Sequence, residues 1–366
     1  MVNTIIKICV FFNKYTEHLD KYIKIELKNN NPEAVMKPLC LVRTQLRTET
    51  QQELCNIMHD KCEIIISNGD EYKSLGLDHP FSRQELEKAE IIIGNPSMDT
   101  LSYCKNLKWL QLSSSGADAY AKSPFINKEN TIITNATGAY GHAISEYMVA
   151  GVFVMTKKLH LYRDNQFAGL WQDLGFVKTI NGCNVLVVGL GDIGGNFGKK
   201  MNALGANIYG IKRTASNKPD YVKSLHTLDE LDCLLPQMDV VALCLPNSDK
   251  TQDVISDKQL SLMKNDAILI NVGRGNAVNT DALTKALSEN IIGGAILDVT
   301  QPEPLPAQHP LWKLSNVIIT PHVSGGYHAQ ETIEGIERII LENAQRYVDG
   351  QPLSNIVDYE TGYMKK

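Results

Sequence analysis

The stretch that decides the fold is Val185–Thr214, VLVVGLGDIGGNFGKKMNALGANIYGIKRT. It opens on an apolar run, Val185–Val188, of the kind found in a strand covered on both faces. Gly189-Leu190-Gly191-Asp192-Ile193-Gly194 follows, spaced G-x-G-x-x-G. Phe197, Met201 and Leu204 then recur on one helical face, and Gly205 fits the residue just past a helix end. A strand, a glycine turn and a helix in that order make an anion cradle. Gly189 permits the tight turn, Gly191 lets a pyrophosphate approach the backbone, and Gly194 lets helix pack closely on strand. The N-terminus of the helix that follows turns its N–H groups toward the anion, and Asp192 is counted among the loop residues that hold the dinucleotide.

Dinucleotide folds of this type place an acid about 20 residues on, where it bonds the ribose hydroxyls of NAD. Here the second strand ends at Ile211, and Lys212, Arg213 and Thr214 stand in that place. Two cations and a hydroxyl suit a 2′-phosphate, which a carboxylate would repel. NADP(H) is therefore the preferred cofactor expected, with NAD(H) possible.

Length and composition narrow the class. The chain has 366 residues, which suits two domains. The formal net charge is −5. That balance gives no positive field for nucleic acid or for an anionic membrane surface. No apolar run reaches the length of a spanning helix. Cys9, Cys40, Cys55, Cys62, Cys104, Cys183, Cys233 and Cys244 form no CxxC pair, and most lie in or beside apolar segments. Reduced thiols in a cytoplasmic protein are expected, with no metal site.

Residues 1–37 are rich in Lys, Asn and Ile and read as an N-terminal extension of unknown role. From Pro38 the pattern becomes regular. LCLV, CEIIIS, AEIIIGNP, LKWLQLSSSG and TIITNAT read as strands, with ETQQELCNIMHD as a helix among them. Residues 142–166 read as one long helical run with Ile144, Met148, Val152, Met155 and Leu159 at helical spacing. A second series has six strands: NVLVVG, NIYGI, DVVALCLP, AILINVG, GAILDV and NVIITP. Such alternation predicts an α/β fold with parallel sheets covered by helices.

Three later segments carry candidate chemistry. ILINVGRGNAVNTDAL sets Arg274 after a strand, AILDVTQPEPLP sets Asp298 at a strand end and Glu303 in a Pro-rich loop, and NVIITPHVSGG sets His322 after a third. The C-terminal ends of such strands form the edge where doubly wound folds bind ligands. A guanidinium there can grip a substrate carboxylate in fork geometry. An imidazolium can give a proton to a carbonyl oxygen as hydride arrives, and a carboxylate beside it fixes its tautomer.

The glycine loop, NVGRG, LDV with EPLP, and TPHVSG, in this order and spacing, resemble the D-isomer-specific 2-hydroxyacid dehydrogenase family over roughly residues 38–350. The resemblance implies a Rossmann-type nucleotide domain, residues 141–323, inserted in a flavodoxin-like substrate domain, residues 38–140 and 324–366. It implies that Arg274 binds substrate, that Glu303 assists, and that His322 is the acid/base. It further implies that Asp298 holds the nicotinamide carboxamide and that Ile193 lies on the pyrophosphate loop. Leu245 and Pro246 would border the adenosine, and Val272 would contact the nicotinamide region. The backbone N–H groups of Ser115 and Gly116 would meet the substrate carboxylate. A homodimer is implied, with the helix around residues 142–166 at its interface. Tyr140 and Tyr327 stand near the expected hinges. The activity implied is reduction of a 2-keto acid or oxidation of a 2-hydroxy acid, with glyoxylate, hydroxypyruvate or a larger 2-keto acid as substrate. A cofactor-sensing binding protein or corepressor without significant turnover, and a related enzyme that oxidises a small anion such as formate or phosphite, are the competing classes.

Overall fold

The computed structural model describes residues 37–67, 80–213, 217–326 and 329–365, and the backbone of two strands at 8–11 and 22–25. Thr214 and Tyr327 lie outside the described residues. The chain divides into two compact units, Met1–Ala139 with Ile333–Lys366, and Tyr140–Thr332.

The first unit holds strands β1 (Ile8–Phe11), β2 (Tyr22–Ile25), β3 (Leu39–Arg43), β4 (Glu63–Ile66), β5 (Ala89–Gly94), β6 (Trp109–Gln111) and β7 (Ile132–Thr134). They form one sheet in the order β1-β2-β4-β3-β5-β6-β7. The five strands β3 to β7 pair in parallel, in the flavodoxin-like order. Within the stretch read as an extension, β1 and β2 pair antiparallel and β2 joins the edge at β4. Leu41, Ile92, Leu110 and Ile133 centre the core on one face. The C-terminal helix Gln330–Val348 sends Asn343 to the buried Gln111 at 2.8 Å.

The second unit holds β8 (Asn184–Val188), β9 (Asn207–Ile211), β10 (Val222–His226), β11 (Val240–Leu243), β12 (Ile268–Asn271), β13 (Gly294–Leu297) and β14 (Val317–Ile319). The order is β10-β9-β8-β11-β12-β13-β14, and every pairing is parallel. This is the doubly wound dinucleotide order with a seventh strand added. Alternate residues of one strand serve opposite cores. Leu186 and Val188 face one cluster, and Val185 and Val187 face the other. Such strands must be apolar at every position, which is why their runs stood out in the sequence.

Two elements depart from the sequence reading. The six-strand expectation missed β10, VKSLH, whose Lys223, Ser224 and His226 give no apolar run. As an edge strand it has only one neighbour, β9, and only Val222 along it is buried. The single helix expected over 142–166 is two helices, Gly141–Thr156 and Leu159–Phe167. Lys158 takes a left-handed φ of 57°, which a continuing helix cannot contain. Ile144, Met148 and Val152 are buried in the core of this unit, whereas Leu159 is exposed. Among the described residues no helix is long and apolar enough to cross a membrane.

Candidate active site

The parallel strands of the second unit all release their loops at one sheet edge. Gly189 follows β8, Lys212 follows β9, Leu245 follows β11, Val272 and Arg274 follow β12, Asp298 follows β13, and His322 follows β14. The tertiary structure thus brings most of the sequence candidates to one rim.

The glycine turn has the geometry the motif requires. Gly189 has a φ of +99°, and a Cβ there would stand 2.5 Å from the Cys244 carbonyl oxygen. A Cβ on Gly194 would stand 2.3 Å from the Gly189 carbonyl oxygen, so the helix Asp192–Ala203 can approach only without one. At Gly191 the position of a Cβ has no atom within 4 Å, and the residue is exposed. That open side at a helix N-terminus fits a pyrophosphate. The helix is twelve residues long, and the Asp192 carboxylate accepts from Asn196 at 3.1 Å. Ile193 is half-buried beside the core.

The N–H groups of Gly189 and Leu190 both donate to the Ile211 carbonyl, at 3.0 and 3.2 Å. This clasp puts the end of β9, and hence Lys212 and Arg213, beside the glycine turn. The Lys212 N–H donates to the His226 carbonyl at 3.0 Å, and Arg213 is exposed. No carboxylate occupies the two positions after β9.

Leu245 abuts the turn after β12: a Cβ on Gly273 would stand 2.5 Å from its carbonyl oxygen. Pro246 accepts from Thr251 Oγ1 at 2.6 Å, and Val272 is buried. The turn that carries Arg274 is stapled by Asn271, a buried residue the sequence reading passed over. Its Nδ2 donates to the Arg274 carbonyl at 2.9 Å, and its Oδ1 accepts from the Gly273 N–H at 3.1 Å. The Arg274 guanidinium is half-buried, with Nη1 donating to the Gly273 carbonyl at 2.9 Å.

Glu303 and His322 meet directly. Their Oε1 and Nδ1 atoms are 2.7 Å apart, with 43% and 54% of the two side chains exposed. An acceptor-only carboxylate at Nδ1 leaves Nε2 as the outward nitrogen. His322 has a φ of 55°. For a non-glycine residue that conformation costs on the order of 1–3 kcal/mol and persists only where neighbours hold it.

Asp298 does the holding. Its carbonyl accepts the His322 N–H at 2.9 Å, its Oδ1 accepts the Val323 N–H at 2.9 Å, and its Oδ2 accepts the Ser324 N–H at 3.0 Å. Thr320 Oγ1 donates to Oδ1 at 2.6 Å, and Ser324 Oγ donates to Oδ2. The carboxylate, only 2% exposed, has all of its roughly four acceptor sites filled from this turn. Tyr147, from the helix Gly141–Thr156, reaches Thr320 Oγ1 at 2.7 Å. Thr320, Ser324 and Tyr147 were not singled out in the sequence. Among the described residues no group of three or more His, Cys, Asp and Glu could hold a metal ion.

In the first unit, Ser115 and Gly116 lie in the loop after β6. Asn135 Nδ2 donates to the Ser115 carbonyl at 2.7 Å, Ser114 Oγ donates to the Gly116 carbonyl at 2.9 Å, and Asn95 Oδ1 accepts from the Ser113 N–H at 3.1 Å. These bonds fix the loop by its carbonyls and flanks. The N–H groups of Ser115 and Gly116 have no partner among the described residues.

A doubly wound sheet with a glycine turn, a guanidinium and a carboxylate–imidazole pair on one edge defines a nicotinamide-dependent oxidoreductase. The sequence model of the D-isomer specific 2-hydroxyacid dehydrogenase NAD binding domain matches residues 149–324. Glyoxylate/hydroxypyruvate reductase B of Pectobacterium carotovorum is 30% identical over 295 residues, which span 77% of this chain and 88% of that one. Glyoxylate reductase of Thermofilum pendens is 29% identical over 299 residues, or 78% and 84% of the two chains. Among solved structures, a D-isomer specific 2-hydroxyacid dehydrogenase family protein from Aeromonas salmonicida superposes with a TM-score of 0.76 at 27% identity, covering 88% of this chain and 99% of that one. The chain belongs to the D-isomer specific 2-hydroxyacid dehydrogenase family. It is an enzyme, an NAD(P)-dependent oxidoreductase acting on the CH–OH group of 2-hydroxy acids.

Proposed function

We propose that this enzyme is an NADPH-preferring reductase of small 2-keto acids, with His322 as its acid/base. The observation that carries the reading is the 2.7 Å contact between His322 and Glu303 on the ligand edge of the sheet. The bound nicotinamide would supply the hydride. Glu303 fixes the Nδ1–H tautomer and stabilises the charged ring, so that Nε2 gives its proton to the carbonyl oxygen. Arg274 grips the substrate carboxylate. In the first unit, the N–H groups of Ser115 and Gly116 suit a carboxylate as ligand. Glyoxylate and hydroxypyruvate are the first substrates to test, because reductases of these compounds are among the relatives. A larger 2-keto acid is the further option.

Gly189, Gly191, Asp192, Ile193 and Gly194 would hold the pyrophosphate, while Leu245, Pro246 and Val272 would line the rest of the dinucleotide. The preference for NADPH rests on Lys212 and Arg213 beside the glycine turn. Steady-state kinetics on glyoxylate and hydroxypyruvate with NADPH and NADH test both claims. Higher kcat/KM with NADPH is expected, and the K212A/R213A variant should lose roughly 10- to 100-fold with NADPH and little with NADH, as two charge-assisted bonds require. A clear NADH preference in the wild type would refute the assignment.

The supported assembly is a homodimer. Phe167, Leu170, Trp171 and Phe176 are exposed large apolar side chains within ten residues of chain, a density that calls for a covering surface. Sedimentation equilibrium should give twice the chain mass; a monomer at micromolar concentration refutes it. A cytoplasmic location is supported by seven described cysteines, all unbridged, with Cys40, Cys62 and Cys104 buried. The net charge of −5 argues against nucleic-acid partners.

A further inference from the structure

We propose that Tyr147 is a positioning residue for the acid/base: through Thr320 and Asp298 it fixes the turn that presents His322. The inference rests on the reading of His322 as the acid/base and adds a residue to it. Three successive amides, of His322, Val323 and Ser324, converge on Asp298, and they hold His322 in its left-handed conformation. The Asp298 main chain takes the His322 amide, and its carboxylate places the Val323 and Ser324 side of the turn. That carboxylate is anchored in turn by the Thr320 hydroxyl at 2.6 Å.

Thr320 has one hydroxyl hydrogen, and the carboxylate takes it. The Tyr147 hydroxyl, 2.7 Å from the same oxygen, must then be the donor to Thr320. Each group in the chain has one arrangement that satisfies it: Tyr147 to Thr320, Thr320 to Asp298. Burial pushes the Tyr147 hydroxyl up to about 12, with its bond to Thr320 opposing that rise, so it keeps its proton at any working pH. Tyr147 also stands on a rigid base, because Ile144 and Met148 of the same helix are buried in the core. Without the tyrosine hydroxyl, Thr320 can rotate and the Asp298 anchor loosens. The imidazole then samples poor orientations for proton transfer, which lowers turnover more than binding.

The test uses the full chain and three variants, Y147F, T320V and T320S, with H322Q as reference. For Y147F, kcat for keto acid reduction should fall roughly 3- to 10-fold, with KM for the keto acid and the NADPH dissociation constant within about twofold. T320V should fall further, and T320S, which keeps the hydroxyl, should restore most of the loss. In the ligand-free protein, the ¹⁵N resonances of the His322 ring, assigned by their absence in H322Q, should broaden or shift in Y147F and T320V and stay in place in T320S. Wild-type kcat and unmoved ring resonances in both Y147F and T320V would overturn the inference. So would a loss confined to KM or to NADPH binding. Turnover retained by H322Q would sink the acid/base reading itself, whatever Y147F does. An inactive H322Q beside an unaffected Y147F sinks the positioning role alone.

Discussion

At the scale of the residue, the candidate chemistry rests on one short contact, Glu303 to His322, and on the turn that presents it. The Glu303→Gln variant removes the negative charge while keeping an acceptor of similar shape. Its kcat should fall about 10- to 100-fold, with a smaller change in KM. The His322→Gln variant should lose about 10²- to 10⁴-fold, the range for general acid–base assistance, while NADPH affinity measured by fluorescence stays near wild type. Equal activity in wild type and H322Q would remove His322 from the mechanism. Arg274, Glu303 and His322 were legible in the sequence because each follows a recognisable strand in a parallel series. Asn271, Thr320, Ser324 and Tyr147 were not. Their roles depend on partners that sequence spacing does not reveal, such as the Tyr147–Thr320 bond across 173 positions.

At the scale of the element, the glycine turn stands out because Gly189 and Gly194 leave no room for a Cβ, while Gly191 keeps its side open. Gly194→Ala tests that reading. Its Cβ would come 2.3 Å from the Gly189 carbonyl oxygen and 2.7 Å from Val187 Cγ1, so the helix must move away from β8. Overpacking of this kind costs about 1–3 kcal/mol. Calorimetry should show a lower Tm and titration a weaker dinucleotide affinity; unchanged values for both would mean that the close approach is not needed. Elements that lack a repeating apolar signal were lost. The edge strand β10 is half-exposed, and the break at Lys158 is a backbone event inside a helical-looking run.

At the scale of the whole molecule, charge and exposed surface carry two further expectations. Asp239, at the edge of the second unit's sheet opposite the site, accepts the Asn184 N–H at 2.8 Å and pairs with Lys264 at 2.9 Å and Lys178 at 3.8 Å. Burial alone would raise its carboxyl, but the Asn184 amide and the two ammonium groups outweigh burial and hold it below the usual range. A depressed folded value stabilises the fold above the unfolded value of about 3.9 and loses that contribution as pH falls through the folded one. Asp239→Asn should therefore lower stability at neutral pH, with the gap to wild type closing in acid; urea melts at pH 7 and pH 3 measure it. A gap that widens in acid would contradict the sign. For the assembly, W171E/F176E should shift a sedimenting dimer to monomer while preserving the far-ultraviolet circular dichroism spectrum.

By itself the sequence determined the fold class, the two sheets and the identity of the chemical groups. It could do so because a strand buried on both faces must be apolar throughout, and a turn that touches a phosphate must lack side chains. Only the tertiary structure decided which groups meet. It set Glu303 against His322 and joined Tyr147, Thr320 and Asp298 beneath the turn. It also brings the Val323 and Ser324 amides onto the Asp298 carboxylate, which shapes the backbone after His322. Hydrogen bonds between residues far apart in the chain depend on angstrom-scale placement, and apolar periodicity carries no record of that placement.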